Sequence, residues 1–266
     1  MIVDYHMHLR DEVNGIDHSV DAAEKFMARA RERGVDEIGF AEHVYYFTQT
    51  SAFWEWPYYV ERCRHDLDEY VDAVLEAKRR GLPVKLGLEV DWLGERADEL
   101  DAILAPYPWD YLLGSVHMLG DHAVDESAGS GAWGEWPDEE VWRRYVEQLA
   151  DAARSGRFDV LSHPDLAKIY GVQGKDEHYD ELARAVDDAG VAVEISTAGL
   201  RKPVGELYPD ARLLERSAAP VTLGSDAHEP RLVGEDFDRA IELARRAGRD
   251  TVSVFEARVR RQEPLG

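Results

Sequence analysis

Short apolar runs alternate with longer amphipathic stretches along the whole chain, and this alternation limits the possible folds more than any other feature of the sequence. The short runs have the length of buried strands, whereas the longer stretches repeat apolar residues at helical spacing. Proline or glycine marks several boundaries, such as Pro57 before one stretch and Gly190 after another. Strands that alternate with crossover helices pair in parallel, so the pattern predicts an α/β fold. The predicted strands are Met1–His6, Glu37–Ala41, Pro83–Val90, Trp109–Val116, Phe158–Ser162, Val191–Ser196 and Val221–Gly224, and the predicted helices are Val20–Arg33, Pro57–Arg80, Ala97–Leu104, Asp138–Ser155, Asp176–Ala189, Asp210–Ala218 and Phe237–Ala247.

Two architectures are compatible with this alternation, a barrel and a doubly wound open sheet. The open sheet usually carries a glycine-rich phosphate loop after its first strand. This chain has His6-Met-His-Leu-Arg at that place, which favours a barrel or a strongly curved sheet. The 266 residues contain no composition break, linker or internal repeat, so we expect one domain over residues 1–266.

Composition excludes several classes of protein. The net charge of −23 opposes binding to the phosphates of nucleic acids. No apolar run approaches the roughly 20 residues that a membrane span requires, and Met1 is not followed by the basic and apolar regions of a signal peptide. Cys63 is the only cysteine and cannot form an internal disulfide. We therefore expect a cytoplasmic protein with neither a membrane nor a nucleic-acid partner, whereas its oligomeric state is left open.

Histidines and carboxylates cluster at the ends of the predicted strands. The i, i+2 spacing of His6 and His8, and of Asp226 and His228, places each pair on one side of the chain. In α/β barrels the C-terminal ends of the strands share one rim, where chemistry is located. Nitrogen and carboxylate ligands without cysteine suit zinc, manganese or iron, and a cluster this large predicts more than one ion. The strand-end residues are His6, His8, His43, Glu89, His117, His163, Asp226 and His228.

Two loops at the same rim are unusually long and rich in aromatic residues. Val44–Trp56 follows the second predicted strand, and Gly120–Trp136 follows the fourth. Their aromatic side chains are expected either to pack as a lid or to contact a ligand directly.

The ordered series of motifs resembles the PHP (polymerase and histidinol phosphatase) family, and within it the monofunctional histidinol-phosphate phosphatases. The resemblance extends over essentially the whole chain and implies a distorted, TIM-barrel-like (β/α)7 barrel with three divalent metal ions at its C-terminal face. The further motifs that carry it are Gly87-Leu-Glu-Val-Asp-Trp, Tyr111-Leu-Leu-Gly-Ser-Val-His, His163-Pro-Asp-Leu-Ala-Lys, Ser196-Thr-Ala-Gly-Leu-Arg-Lys-Pro and Gly224-Ser-Asp-Ala-His-Glu-Pro.

The same resemblance implies a ligand set. His18 is the only histidine in the loop after the first strand, and that loop is longer than is expected for the family. One ion would be held by four residues, Glu89 would bridge to a second ion, and a third would complete the centre. The ligands are His6, His8, Glu89 and Asp226 for the first ion, Glu89, His117 and His163 for the second, and His18, His43 and His228 for the third.

Other residues are assigned to the substrate. The resemblance places Arg201 and Lys168 near phosphate, and Asp91 either faces a substrate amine or orients a ligand histidine. Asp226 is also a candidate to pass a proton to the leaving alcohol. The remaining histidines, His65, His122 and His178, are predicted to be surface residues.

The implied function is a metal-dependent phosphomonoesterase that hydrolyses L-histidinol phosphate, in histidine biosynthesis, by a metal-bridging hydroxide. Glu89 and Asp226 would then be its catalytic residues. The same chemistry on another small ester, a sugar or nucleotide monophosphate, is the first alternative. A PHP module of a DNA polymerase is disfavoured by the chain length and the charge of −23. An amidohydrolase barrel would commonly need a modified lysine on a strand, and no lysine occupies an equivalent strand position here.

Overall fold

The computed structural model describes residues 1–11 and 15–266. Its strands are β1 (Val3–Asp4), β2 (Arg10–Asp11), β3 (Gly15–Ile16), β4 (Glu37–His43), β5 (Val84–Asp91), β6 (Tyr111–Ser115), β7 (Met118–Leu119), β8 (His122–Ala123), β9 (Val160–Leu161), β10 (Ala192–Ser196), β11 (Val221–Gly224), β12 (Thr251–Glu256) and β13 (Val259–Pro264). Its α-helices are α1 (Val20–Glu32), α2 (Pro57–Arg62), α3 (Leu67–Arg79), α4 (Ala97–Leu104), α5 (Ala132–Glu135), α6 (Asp138–Arg154), α7 (Asp176–Ala189), α8 (Ala211–Arg216) and α9 (Phe237–Arg246).

The main sheet has seven parallel strands in the order β1-β4-β5-β6-β9-β10-β11, so that its strands follow one another as they do in the chain. The two ends of the sheet also meet. The backbone N–H of Tyr5 donates to the carbonyl of Leu223 at 3.0 Å, and Met7 forms a parallel bridge with Ala227. The sheet is therefore nearly closed, and the prediction of a distorted (β/α)7 barrel is confirmed.

Aromatic side chains fill the barrel. The rings of Tyr5 and Tyr111 stack with centroids 5.1 Å apart, and Phe255 lies about equally close to both. The Tyr111 hydroxyl donates to the carbonyl of Tyr5 at 2.6 Å. Gly39 and Gly87 on the neighbouring strands make room for this ring, because a Cβ at either position would lie 2.3 Å from an atom of Tyr111.

A C-terminal hairpin that the sequence analysis did not predict covers the opposite end of the barrel from the strand-end histidines. β12 and β13 pair antiparallel from Thr251↔Pro264 to Glu256↔Val259. Phe255 on β12 is buried against the barrel aromatics, whereas β13 is mostly exposed. The charged sequence of β13 does not alternate as a half-buried strand does, which is why it was missed.

The predicted helix Pro57–Arg80 was wrong in one respect, because the structure divides it into α2 and α3. Between them His65 forms a parallel bridge with Phe47, and its carbonyl accepts from the backbone N–H of Thr48 at 2.9 Å. These tertiary hydrogen bonds replace a helical turn.

The outer helices each bury one face. In α6, Trp142, Tyr145 and Leu149 share a face at helical spacing and are buried. Across residues 1–11 and 15–266, no helix is both long enough and apolar enough to cross a membrane.

Candidate metal centre

The ends of the parallel strands bring most of the predicted ligands together. Within the described residues, three overlapping groups at this rim have potential ligand atoms within 4.8 Å of one another. Glu89 and His8 each belong to two of them. The groups are His6, His8 and Glu89; Glu89, His117 and His163; and His8, His43 and His228.

Glu89 lies at the centre of the cluster, with its two oxygens facing different histidines. Oε2 is 3.4 Å from Nε2 of His6 and 2.5 Å from Nδ1 of His43. Oε1 is 2.9 Å from Nε2 of His163 and 3.4 Å from Nε2 of His117. A carboxylate that divides its oxygens in this way could take part in holding more than one cation.

Asp226 approaches the same cluster from the turn after β11. Its Oδ1 lies 3.2 Å from Nε2 of His8 and 3.9 Å from Nε2 of His6. Asp226 and His163 both have positive φ, 50° and 25°. This conformation is uncommon for residues other than glycine, and such strain is concentrated at functional sites.

The donor atoms of the cluster fit bound cations. Among the described residues, buried atoms that make no hydrogen bond are concentrated here. An unpaired buried polar atom is costly, and a divalent ion would satisfy several of these together. Imidazole and carboxylate donors suit zinc, manganese or iron. The unpaired atoms approach one another closely but without the geometry of a hydrogen bond, and they include Nε2 of His6, Nε2 of His8, Nδ1 of His43, Oε2 of Glu89 and Oδ1 of Asp226.

Three further carboxylates lie behind the histidines and orient their rings. Oε1 of Glu194 is 2.9 Å from Nδ1 of His6, and Oδ1 of Asp91 is 2.8 Å from Nδ1 of His117. Oε2 of Glu42 is 3.4 Å from Nδ1 of His8. A carboxylate on Nδ1 directs Nε2 of the same ring towards a metal.

Of the two roles considered for Asp91, this geometry matches the orientation of a ligand histidine. Asp91 also accepts a hydrogen bond from the Tyr59 hydroxyl at 3.2 Å. Sequence reasoning missed Glu194 and Glu42. The available signal was a glutamate inside an otherwise apolar strand, where it needs a partner.

The buried carboxylates and imidazoles of the cluster shift one another's pKa values. Burial alone would raise the pKa of Glu89, but the surrounding histidines hold it well below its usual range. Burial and the neighbouring His8 lower the pKa of His43 to about 4. Burial opposes protonation of His117, yet Asp91 and Glu89 raise its pKa to about 10. Because a ligating imidazole must be neutral, metal binding to His117 would displace a proton.

His18 lies outside the three ligand groups. Its Nε2 is 3.7 Å from Oε1 of Glu42, and its ring centroid is 5.3 Å from that of His65. The prediction that His65 is a surface residue was incomplete, because its ring is partly buried in this contact. The loop that carries His18 includes residues 12–14, which lie outside the described residues.

The prediction of a surface position was wrong for His178, which lies far along the chain on α7. Its ring stacks on Trp142 with centroids 5.4 Å apart and is 6% exposed.

A cavity of about 720 Å³ opens above the cluster. Among its walls are the ligand candidates His43, His117, His163, Asp226 and His228. The first long loop supplies aromatic walls, including Tyr45, which stacks on Tyr59 with centroids 3.8 Å apart. Other aromatics of that loop, such as Phe47, are buried in packing. The loop therefore both packs against the barrel and lines the cavity, and direct contact of its aromatic residues with a ligand stays a prediction.

The two residues predicted to lie near phosphate, Arg201 and Lys168, both have partners within the protein. The Arg201 guanidinium donates to the carbonyl of Ser225 at 2.5 Å and lies 3.6 Å from Glu235. Lys168 is fully buried, with Nζ 3.0 Å from Asp165. Neither residue lines the cavity, whereas Lys202 does.

Comparison with known proteins agrees with this geometry. The model of a family described as PHP domain matches residues 4–198. A probable histidinol-phosphatase of Deinococcus radiodurans is 32% identical over 254 residues, covering 93% of this chain and 94% of that protein. A histidinol-phosphatase of Lactococcus lactis is 24% identical, over 95% of this chain and 94% of that protein.

A solved structure shares the fold. The histidinol phosphate phosphatase of Lactococcus lactis, complexed with zinc, L-histidinol and phosphate, has a TM-score of 0.76 over 98% of each chain, at 22% identity. The match to the PHP model covers most of the chain, and the Deinococcus protein extends the similarity over nearly all of it. The chain therefore belongs to the PHP domain family.

Proposed function

We propose that this chain is a metal-dependent phosphomonoesterase and that its substrate is L-histidinol phosphate. The observation that carries the proposal is the set of overlapping ligand groups joined by Glu89 at the floor of a cavity. Relatives named histidinol-phosphatase support the choice of substrate. Bound divalent ions supply positive charge for a phosphate dianion and lower the pKa of water to near neutrality.

The proposed ligand set is the one that the resemblance implies. Glu89 would contribute one carboxylate to the first two ions. Asp226 reaches the cavity from the turn after β11 and would bind an ion. It would also take the proton that the attacking water releases and pass it to the leaving alkoxide, which departs as the alcohol. The proposed ligands are His6, His8, His18, His43, Glu89, His117, His163, Asp226 and His228.

The position of each basic side chain relative to the cavity decides which of them is proposed to contact the ester. We propose that Lys202 contacts the ester, since it lines the cavity. The hydrogen bond from Arg201 to Ser225 places its guanidinium against the residue before Asp226. Contacts of Arg201 and Lys168 with phosphate remain predictions. To reach phosphate, each side chain would have to leave its present partner, Ser225 for Arg201 and Asp165 for Lys168.

Several broader features belong to the same proposal. We propose one domain over residues 1–266, supported by the hydrogen bond from the Met1 amino group to the carbonyl of Pro264. A cytoplasmic location and the lack of a nucleic-acid partner remain predictions. The main alternative is a sugar or nucleotide monophosphate as substrate.

The test is a phosphate-release panel on metal-loaded protein. L-histidinol phosphate should give the highest kcat/KM, compared with glucose 6-phosphate and adenosine monophosphate. A higher value for either of the others would reject the substrate but keep the phosphatase. A metal-loaded protein that releases phosphate from none of them would reject the enzyme class. Glu89→Gln protein serves as the control for contaminating phosphatases.

A further inference from the structure

The mouth of the cavity is acidic. Three exposed carboxylates line it, Glu61 on α2 together with Asp125 and Glu126 on the second long loop. Lys202 is the one lysine or arginine among the lining residues, within the described part of the chain. The mouth therefore carries a net negative charge, which would repel a phosphate rather than attract it.

The floor of the same cavity, which the ligand candidates form, would attract phosphate once cations are bound there. Its histidines and carboxylates are arranged to hold cations, and these would bind the phosphate end of a substrate. The alcohol part of a bound ester then points away from the floor, towards the carboxylates. An alcohol part with an ammonium or imidazolium group would pair with them, whereas a sugar or a neutral nucleobase would not.

A second observation points to a polar ligand in the same cavity. Tyr208 lines the cavity and is fully buried, yet its hydroxyl has no hydrogen-bond partner among residues 1–11 and 15–266. A buried hydroxyl without a partner is costly, and a polar atom of a bound ligand would satisfy it.

The aromatic residues beside the carboxylates pack against one another and against a cation of the chain itself. Tyr58 is 41% exposed and stacks on Trp56 with centroids 4.8 Å apart, and both line the cavity. The Arg62 guanidinium lies 3.4 Å from the centroid of the Tyr58 ring. These rings therefore shape the mouth, and recognition of a charged ligand is left to the carboxylates.

We infer that Glu61, Asp125 and Glu126 form a cation-recognition site at the cavity mouth, which selects phosphate monoesters with a positively charged alcohol part. This inference rests on the proposed function, because it assumes that phosphate binds at the floor. It assigns specificity to three residues that lie outside the metal centre.

The test compares two esters that differ in this charge, L-histidinol phosphate and phenyl phosphate. In the double variant Asp125→Asn, Glu126→Gln, the ratio of kcat/KM for L-histidinol phosphate to that for phenyl phosphate should fall at least ten-fold. Glu61→Gln should lower the ratio in the same direction. The matched control is Asp72→Asn, an exposed carboxylate on α3, which should leave the ratio unchanged. An unchanged ratio in the double variant, with metal content intact, would overturn the inference.

A binding measurement separates this inference from the proposed function. Calorimetric titration with L-histidinol, at one low ionic strength, should show at least a five-fold weaker Kd in the double variant than in the wild-type chain. An equal Kd in the two proteins would overturn the cation site whatever the turnover. If wild-type protein hydrolyses neither ester but binds L-histidinol in this charge-dependent way, the proposed function fails and the cation site stands.

Discussion

The carboxylate of Glu194 lies 2.9 Å from Nδ1 of His6. Its other oxygen accepts the backbone N–H of His163 at 2.6 Å. β10 supplies no predicted metal ligand, but its Glu194 holds His6 and His163 in place. These two ligand candidates belong to different groups, and both groups contain Glu89. Support of this kind determines which nitrogen of an imidazole faces the metal.

Glu194→Gln should weaken metal binding without unfolding the protein. The amide keeps the size of the side chain but removes the charge that holds the His6 ring, and outer carboxylates of this kind contribute about 10- to 100-fold in affinity. Competition with a chelator, followed by metal analysis, measures the effect. Glu215→Gln on the exposed side of α8 is the control. Equal metal retention in the two variants would contradict a supporting role for Glu194.

Gly224→Ala should also disturb the contact between Glu194 and His6, in this case by steric clash. A Cβ at this position would lie 1.8 Å from Oε1 of Glu194 and 2.8 Å from Cβ of His6, so the carboxylate must move. We expect loss of metal affinity together with a loss of about 1–3 kcal/mol in the free energy of unfolding.

The control for that substitution is Gly156→Ala. Gly156 has φ +69° and open space around its Cα, so alanine there adds backbone strain without contact with the metal centre. It should cost about 1 kcal/mol in stability and leave metal content unchanged. If Gly156→Ala lost metal to the same extent, general destabilisation would explain the result for Gly224→Ala.

Glu89→Gln tests whether Glu89 is a ligand shared by two metal ions. An amide cannot supply two charged oxygens, so metal occupancy should fall and the rate should drop by about three orders of magnitude, or ~4 kcal/mol in activation free energy. Elemental analysis and phosphate release on the same sample measure both quantities. A variant that kept full occupancy and near wild-type activity would exclude Glu89 as the shared ligand.

Removal of metal should lower stability. Bound cations would satisfy the unpaired buried atoms of His6, His8 and Glu89, and a ligand at about 100 times its Kd adds ~2.7 kcal/mol to the free energy of unfolding. Dialysis against a chelator should therefore lower Tm by at least about 5 °C, and added zinc or manganese should restore it. An unchanged Tm in protein shown to be metal-free would mean that the cluster is stable without ions.

The sequence predicted the barrel and the strand-end cluster for a physical reason. Parallel strands joined by helices must place their C-terminal ends on one rim, so residues as distant as His8 and His228 could be placed on the same rim from the pattern. Their ring centroids are 4.1 Å apart in the structure.

Contacts that depend on tertiary packing were beyond such reasoning. The break between α2 and α3 depends on the pairing of His65 with Phe47. The partner of Glu194 depends on the closure of the sheet, which brings His6 to Glu194 across Gly224 of β11. Neither has a periodic signature. The direction of Arg201 was equally hidden, because neighbouring residues in a loop point to different sides.

The last prediction concerns Arg201 and Lys202. The structure gives these neighbouring side chains different surroundings, which the sequence could not show. Lys202 lines the cavity, whereas Arg201 is hydrogen-bonded to the carbonyl of Ser225 and lies near Glu235. If Lys202 contacts the ester, Lys202→Ala should raise KM with metal content unchanged, at a cost of about 1–2 kcal/mol in kcat/KM. If Arg201 instead braces the turn that carries Asp226, Arg201→Ala should lose metal as well as activity. Steady-state kinetics and metal analysis on both variants decide between these roles. A loss of about 2–4 kcal/mol in kcat/KM for Arg201→Ala, with full metal content, would restore Arg201 as the phosphate ligand that its motif predicts, since a guanidinium can bind two phosphate oxygens in one plane.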